Sequence, residues 1–316
     1  MTPFPPIEDL PRTETLWISP HPYDAILSGA ARMARDAAGG AGGLLATVFG
    51  QSDPGRLMQA AARLRLSHVH LGLQAAHARQ RHYASLTART YGSHESDSEV
   101  RDAVRQLFDA VARQVRPRNV FVPLGVGLHI DHRLVHEAAE AAFPGGPGQN
   151  VFYYEDRPYA LIPGAVRVRL AQLAVRLPPA ITALGDGGSL LSHLFGFNRS
   201  SIARHGTRGI ADRMAFLGRV ASSWHQSRAW NPRRAIGLRL QPTTDVVDSA
   251  LADAVDDIVS ELAPAATRLI GSPKRYAHLA ARHASRLGHS RLAERYWLRL
   301  PALHDEDVVA YPLEEG

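Results

Sequence analysis

Five residues in two short segments have the types and spacing to hold a metal ion and to move protons beside it. Ser19-Pro20-His21-Pro22-Tyr23-Asp24 offers an imidazole and a carboxylate three positions apart. His129-Ile130-Asp131-His132 offers two imidazoles and a second carboxylate. A zinc ion with an open coordination position takes about three protein ligands from His and carboxylate, and His21, Asp24 and His132 can supply them. Each segment also has a plainer reading. Asp131 can cap the helix that follows it, and the prolines around His21 can stiffen a strand-to-helix turn. Cysteine is absent, so disulfides and thiolate catalysis are excluded and any metal must be held by imidazole and carboxylate.

Both segments stand just after the carboxyl ends of predicted strands, the edge at which open parallel sheets bind ligands. Strands are expected at Thr15–Ser19, Leu44–Phe49, Val69–Leu73, Val120–Leu124 and Val151–Tyr154. Helices are expected at Asp24–Ala37, from an Asp53 cap through Leu66, at Val100–Val115 with Val104, Leu107, Val111 and Val115 on one face, and at Asp131–Phe143. The Gly39–Gly43 run reads as a turn, and the polar stretch Gln74–Glu99 as irregular chain bordering a site. Farther on, Arg167–Val175 alternates like a strand, while Leu190–Arg219, Val246–Leu262 and Ser272–Arg299 look helical. The alternation predicts an α/β fold, a mostly parallel sheet with helices on both faces, followed by a mainly helical C-terminal extension. Residues 1–165 form the expected metal-binding core, and 166–316 the remainder of the same domain.

The bulk numbers agree with one large domain. The 316 residues are 45% hydrophobic and 7% aromatic, ordinary values for a globular chain. No run approaches the roughly 20 apolar residues needed to span a bilayer, and the first ten residues lack a secretory pattern, so a cytoplasmic location is expected. The net charge of +6 and pI near 9.9 invite a nucleic-acid reading. Lys274 is the only lysine, however, and the arginines are scattered among acids without a basic block. A small-molecule partner is expected instead, with neither nucleic acid nor membrane.

A resemblance sharpens this. Ser19-Pro20-His21-Pro22-Tyr23-Asp24-Ala25-Ile26-Leu27-Ser28 resembles the Ser-Pro-His-x-Asp-Asp-Ala-x-Leu-Ser loop of the LmbE-like (PIG-L) de-N-acetylases. Pro123 to Val135 is similar to that family's second metal loop, and Thr47-Val48-Phe49 and Tyr153 to Ala160 to stretches in one of its branches. The resemblance spans roughly residues 13 to 165 and implies a Rossmann-like core. It implies one zinc ion, or another divalent metal, on His21, Asp24 and His132. It further implies that His129 stabilises or protonates the tetrahedral intermediate, and that Asp131 orients an imidazole. The implied substrate is an N-acylated amino sugar or a related natural-product glycoside, and homo-oligomers occur among relatives.

One position departs from the pattern. Amide hydrolysis needs a base for the attacking water and an acid for the leaving amine. Tyr23 stands where the family's base aspartate belongs, and a phenol of ordinary pKa near 10 is a poor base at neutral pH. Leu57-Met58-Gln59-Ala60-Ala61 and Leu73-Gln74-Ala75-Ala76 likewise lack acids that relatives carry. Tyr23 is therefore a candidate for an altered proton-transfer role. Glu155 or Asp156 could replace the lost acid, and with Tyr154 they are candidates for substrate contact or for support of the metal ligands. His68, His70, His77, His82 and His94 read as packed or loop histidines, and His278, His283 and His289 as surface. Three readings stay open: a hydrolase, a repurposed non-hydrolytic enzyme of the same fold (elimination, cyclisation or acyl transfer), and a non-catalytic protein.

Overall fold

A computed structural model of the chain describes residues 6–50, 54–179, 181, 184, 188–199, 207, 209–246, 252–253, 255–259, 261–262, 273–289 and 292–301. Asp53, expected as a helix cap, and residues 200–206, 208, 247–251, 254, 260, 272 and 290–291 of the segments read as helical lie outside these residues.

Seven strands form one sheet: β1 (Thr15–Ser19), β2 (Gly43–Phe49), β3 (Leu66–Leu73), β4 (Asn119–Pro123), β5 (Asn150–Tyr154), β6 (Leu240–Val246) and β7 (Ala293–Arg299). Their spatial order is β3-β2-β1-β4-β5-β7-β6. The first five are parallel, and β7 pairs antiparallel with both β5 and β6. After β1 the chain steps outward through β2 to β3, then returns to lay β4 on the other side of β1. That reversal opens a crevice at the carboxyl ends of β1 and β4, the position at which open α/β sheets bind ligands.

Alternation along the central strands divides the core in two. Leu16, Ile18, Leu44, Ala46 and Val48 face α5 (Asp97–Val115) and α6 (Ile130–Ala142), through Val104, Phe108, Val111, Val135 and Ala138. Trp17, Leu45 and Phe121 face α1 (Asp24–Ala38) and α2 (Pro54–Arg63), through Ala25, Ile26, Ala30, Leu57 and Ala60. Trp17 stacks on Phe121 at 3.9 Å between ring centroids, and Phe121 on Phe152 at 4.9 Å. Gly29 leaves helical geometry inside α1 to admit the indole, since a β-carbon there would lie 2.5 Å from Trp17 Cζ3.

Two C-terminal expectations are corrected. Arg167–Val175 is not a strand: Ala165–Gln172 is helix α7. Arg169 is buried there and donates from Nε to Leu124 O at 2.8 Å, so an inward-facing charge had disguised the helical face as an alternation. Ser272–Arg299 is helical only over Pro273–Arg286; it ends in β7, whose buried Glu294 and Arg295 hide the apolar pattern of an interior strand. The C-terminal part thus contributes strands to the sheet as well as helices. Among the described residues no helix is long and apolar enough to cross a membrane.

Candidate metal centre

The loop after β1 is built to present His21 and Asp24. Ser19 Oγ accepts from Ala25 N at 3.0 Å and donates to His21 O, which ties the strand end to the first turn of α1. Phe49 N donates to Pro20 O at 2.8 Å and anchors the loop to β2. Asp24 Oδ2 accepts the His21 backbone N–H at 3.0 Å, so the carboxylate turns back over the loop that precedes it. The loop after β4 uses two glycines in the left-handed region, Gly125 (φ +82°) and Gly127 (φ +85°). A β-carbon on Gly127 would lie 2.3 Å from the Tyr159 ring. This tight path delivers His129 as the cap of α6, with Asp131 and His132 in its first turn.

The two loops bring the five sequence candidates together. His21 Nδ1 lies 3.0 Å from Asp24 Oδ2, and His132 Nε2 lies 3.1 Å from the same oxygen. The donor atoms of His21, Asp24 and His132 all fall within 4.8 Å of one another. Tetrahedral zinc with bonds near 2.0–2.1 Å separates its ligand atoms by roughly 3.3 Å. The donor set fits such an ion in kind and in spacing.

Carboxylates behind the imidazoles set their orientation. His21 Nε2 meets Asp131 Oδ2 at 2.9 Å, and His132 Nδ1 meets Asp156 Oδ1 at 2.6 Å. Asp131 also accepts from Ala76 N at 2.9 Å and from Arg79 Nη1 at 2.7 Å. The other oxygen of Asp156 accepts from Gly125 N at 2.7 Å and Val126 N at 2.9 Å. Such outer partners fix the ring orientation of a ligating histidine and raise its basicity. Asp131 is thus held by Arg79, a residue that sequence reasoning passed over. Its only signal was a place in the polar stretch after β3.

The buried imidazoles and carboxylates stabilise one another's charged forms. Burial alone would lower both imidazoles, but hydrogen bonds to Asp131 and Asp24 raise His21 to about 9. The Asp24 charge and the Asp156 hydrogen bond raise His132 to about 10. Burial would raise Asp24 and Asp131, yet His132 and His21 hold the first, and His21 and His129 the second, far below the carboxylate range. Protons held on the two imidazoles answer the charge of the buried carboxylates, and a divalent cation would take their place. Asp156→Asn is expected to weaken zinc binding by about 10–100-fold, read by competition with a chromophoric chelator.

His129 is of a different kind. Its Nδ1 accepts the Asp131 backbone N–H at 3.2 Å, which leaves Nε2 as the ring donor. Burial pushes it well below 6.5, so it is neutral at neutral pH. Its ring centroid lies 5.3 Å from that of His21 and 5.6 Å from that of His132.

Two of the remaining candidates go elsewhere. Tyr23 caps α1 half-buried, packed at the margin of the core that lies under α1 and α2. Tyr154 and Glu155 do not face the crevice, a correction to the expectation above. Tyr154 is fully buried and donates to Ile18 O at 2.9 Å. Glu155 is enclosed by Arg295 Nε at 2.5 Å, Trp297 Nε1 at 3.0 Å and His283 Nε2 at 3.2 Å. His283 is therefore buried rather than on the surface, because α8 (Pro273–Arg286) packs beside β7. Burial alone would raise Glu155, but the Arg295 charge and the His283 hydrogen bond bring it down to about 2. Glu155→Gln would leave Arg295 uncompensated and is expected to cost about 3–5 kcal/mol. In the native chain this group's stabilisation is complete above the ordinary value of 4.5 and is lost as pH falls towards 2. Urea melts of both proteins across that range check the cost and its sign.

Fold and site together define a class: an α/β protein that gathers a His-Asp-His donor set at the switch point of a parallel sheet. Residues 16–143 match the model of the PIG-L family, described as GlcNAc-PI de-N-acetylase. A curated relative, 2′-N-acetylparomamine deacetylase of Streptomyces fradiae, is 37% identical over 174 residues. The matched stretch is 48% of this chain, and the chain spans about 60% of the length of that relative. Among solved structures, the A40926 pseudoaglycone deacetylase superposes with a TM-score of 0.56 at 17% identity, over 93% of this chain and 100% of that one. The zinc-inhibited form of teicoplanin deacetylase gives 0.58 at 18% identity, over 91% and 98%. At these identities the likeness is one of fold.

Proposed function

We propose that this chain is a metal-dependent enzyme that acts at the N-acyl group of an amino sugar or related natural-product intermediate. In this reading zinc, or a similar divalent cation, is held by His21, Asp24 and His132. The observation that supports it best is the pair of buried carboxylates, Asp131 and Asp156, each bonded to the outward nitrogen of an imidazole whose other nitrogen meets Asp24. A buried donor set oriented in this way suits a cation better than a solvated turn. The curated relative, named as a deacetylase of an N-acetylated amino sugar, supports the substrate class.

When bound, the cation supplies Lewis acidity at the amide carbonyl. Around it, His129 offers Nε2–H as a donor to the developing oxyanion or the leaving amine. Asp131 and Asp156 hold the two ligand rings in one orientation. Tyr23 occupies the place of the family's base. Asp24, Asp131 and Asp156, the carboxylates of this cluster, are each bonded to an imidazole and to a backbone N–H. Slow hydrolysis, or a reaction that needs the carbonyl polarised without an activated water, follows from that arrangement.

Acetate release from N-acetylglucosamine and 2′-N-acetylparomamine, with zinc and with a chelator, tests the proposal. A slow turnover that the chelator abolishes supports it. Turnover indifferent to the chelator overturns the metal-dependent reading, and no release by either the native chain or Tyr23→Asp overturns action on these amides.

A further inference from the structure

The polar segment after β3 folds back as a cover on the metal centre. It contains α3 (Ala76–Arg79), a 3-10 turn at Arg81–Ala84 and α4 (Leu86–Tyr91), capped by Ser85 Oγ accepting from Ala88 N at 3.1 Å. Ala76 and Tyr83 pack with Ile130 and Leu134 of α6, and Ala88 sits at the margin of that cluster. Arg133 Nη2 donates to Gly92 O at 2.7 Å and pins the end of α4 to the same helix. Helix α4 therefore rests on the first turn of α6, next to His129.

Two guanidiniums of this cover keep unspent donors. Arg79 gives Nη1 to Asp131, while its Nη2 is buried without a hydrogen-bond partner. Arg89, on α4 beside Ala88, is half-buried, and its Nε is likewise buried and unpartnered. Among the described residues Arg89 forms no ion pair with a carboxylate. Its charge acts on His129, on Tyr159 and on His77, and Arg79 acts on His77 as well. A half-buried guanidinium with an unfilled donor at the rim of a site suits an oxyanion, which its planar fork matches.

We infer that Arg89, with a second donor from Arg79, forms an anion subsite beside the metal centre, and that the substrate carries a carboxylate or a phosphate near its N-acyl group. The inference rests on the function proposed above and narrows its substrate class. The same charges would disfavour an aminoglycoside with several free ammonium groups.

The zinc-loaded protein can be titrated calorimetrically with N-acetylglucosamine, N-acetylglucosamine 6-phosphate, N-acetylmuramic acid and an N-acetylated aminoglycoside bearing free amines. At least one anionic sugar is expected to bind ten or more times more tightly than the neutral one, and which of the two does so separates phosphate from carboxylate. In Arg89→Gln that ratio is expected to fall towards one, with Arg89→Lys between, zinc content serving as the control for folding. Equal affinity for neutral and anionic sugars, a preference for the aminoglycoside, or a preference that survives in Arg89→Gln would overturn the subsite while leaving the proposed function standing. Should no sugar bind, the proposed function is in question and inorganic phosphate decides for the subsite. Binding to the native chain but not to Arg89→Gln retains it, and equal binding to both overturns it.

Discussion

Tyr23→Asp is expected to raise acetate release from an N-acetylated amino sugar by about 100-fold or more, the scale of a positioned general base. A phenol of ordinary pKa near 10 is a poor base at neutral pH, whereas an aspartate of ordinary pKa near 3.9 is ionised there. Position 23 is the N-cap of α1 and the neighbour of Asp24, so a carboxylate there would stand beside the donor set without moving the helix. Loss of the ring removes its packing against the core under α1 and α2 and should lower stability by about 1–3 kcal/mol, which a urea melt would register. Tyr23→Phe separates bulk from chemistry. If the native chain uses the phenol for proton transfer, Tyr23→Phe falls below it; if the ring only fills space, the two proteins match. No gain in Tyr23→Asp would show that the missing acid does not limit the reaction.

The second large effect is on the metal itself. Asp24→Ala is expected to abolish stoichiometric zinc binding, measured by elemental analysis after gel filtration. Asp24 Oδ2 is the atom on which the His21 and His132 imidazoles of the proposed site converge, at 3.0 and 3.1 Å. Its removal leaves two neutral-ligand positions and strands the His21 backbone N–H as well. A ligand present at a thousand times its Kd adds about 4 kcal/mol to the folded state, so zinc should raise the melting temperature of the native chain and leave that of the variant unmoved. Equal zinc content in both proteins would place the ion elsewhere.

The parallel half of the fold was legible because interior strands such as Leu44–Phe49 are short, nearly continuous apolar runs bounded by turn residues. Strands β6 and β7 were not, since Asp245, Glu294 and Arg295 interrupt their pattern. Those charges are answered largely across the fold: Glu294 accepts from Ala31 N and Arg32 N of α1, and Asp245 from Arg35. In the candidate site, the donor residues could be read from two local segments. Asp131 and Asp156 could also be read as candidates for orienting or supporting the donors, but which ring each one meets, and the arginines that cover them, could not. Asp156 meets His132 from the loop after β5, and Arg79 reaches Asp131 only because the chain after β3 turns back over α6. A linear reading shows Arg79 and Arg89 as two more arginines in a polar stretch.

The antiparallel closure of the sheet by β7 bears on how this protein can be cut or transplanted. A fragment ending near residue 165 would carry every donor residue and the whole stretch that matches the family. It would also expose the β5 edge, leave Glu155 without Arg295 and His283, and uncover the Trp17–Phe121–Phe152 ring stack where Tyr296 now packs. The smallest piece able to hold the metal centre is therefore longer than the piece that encodes it. Grafting the chemistry onto another scaffold would require the last strand as much as the first loop.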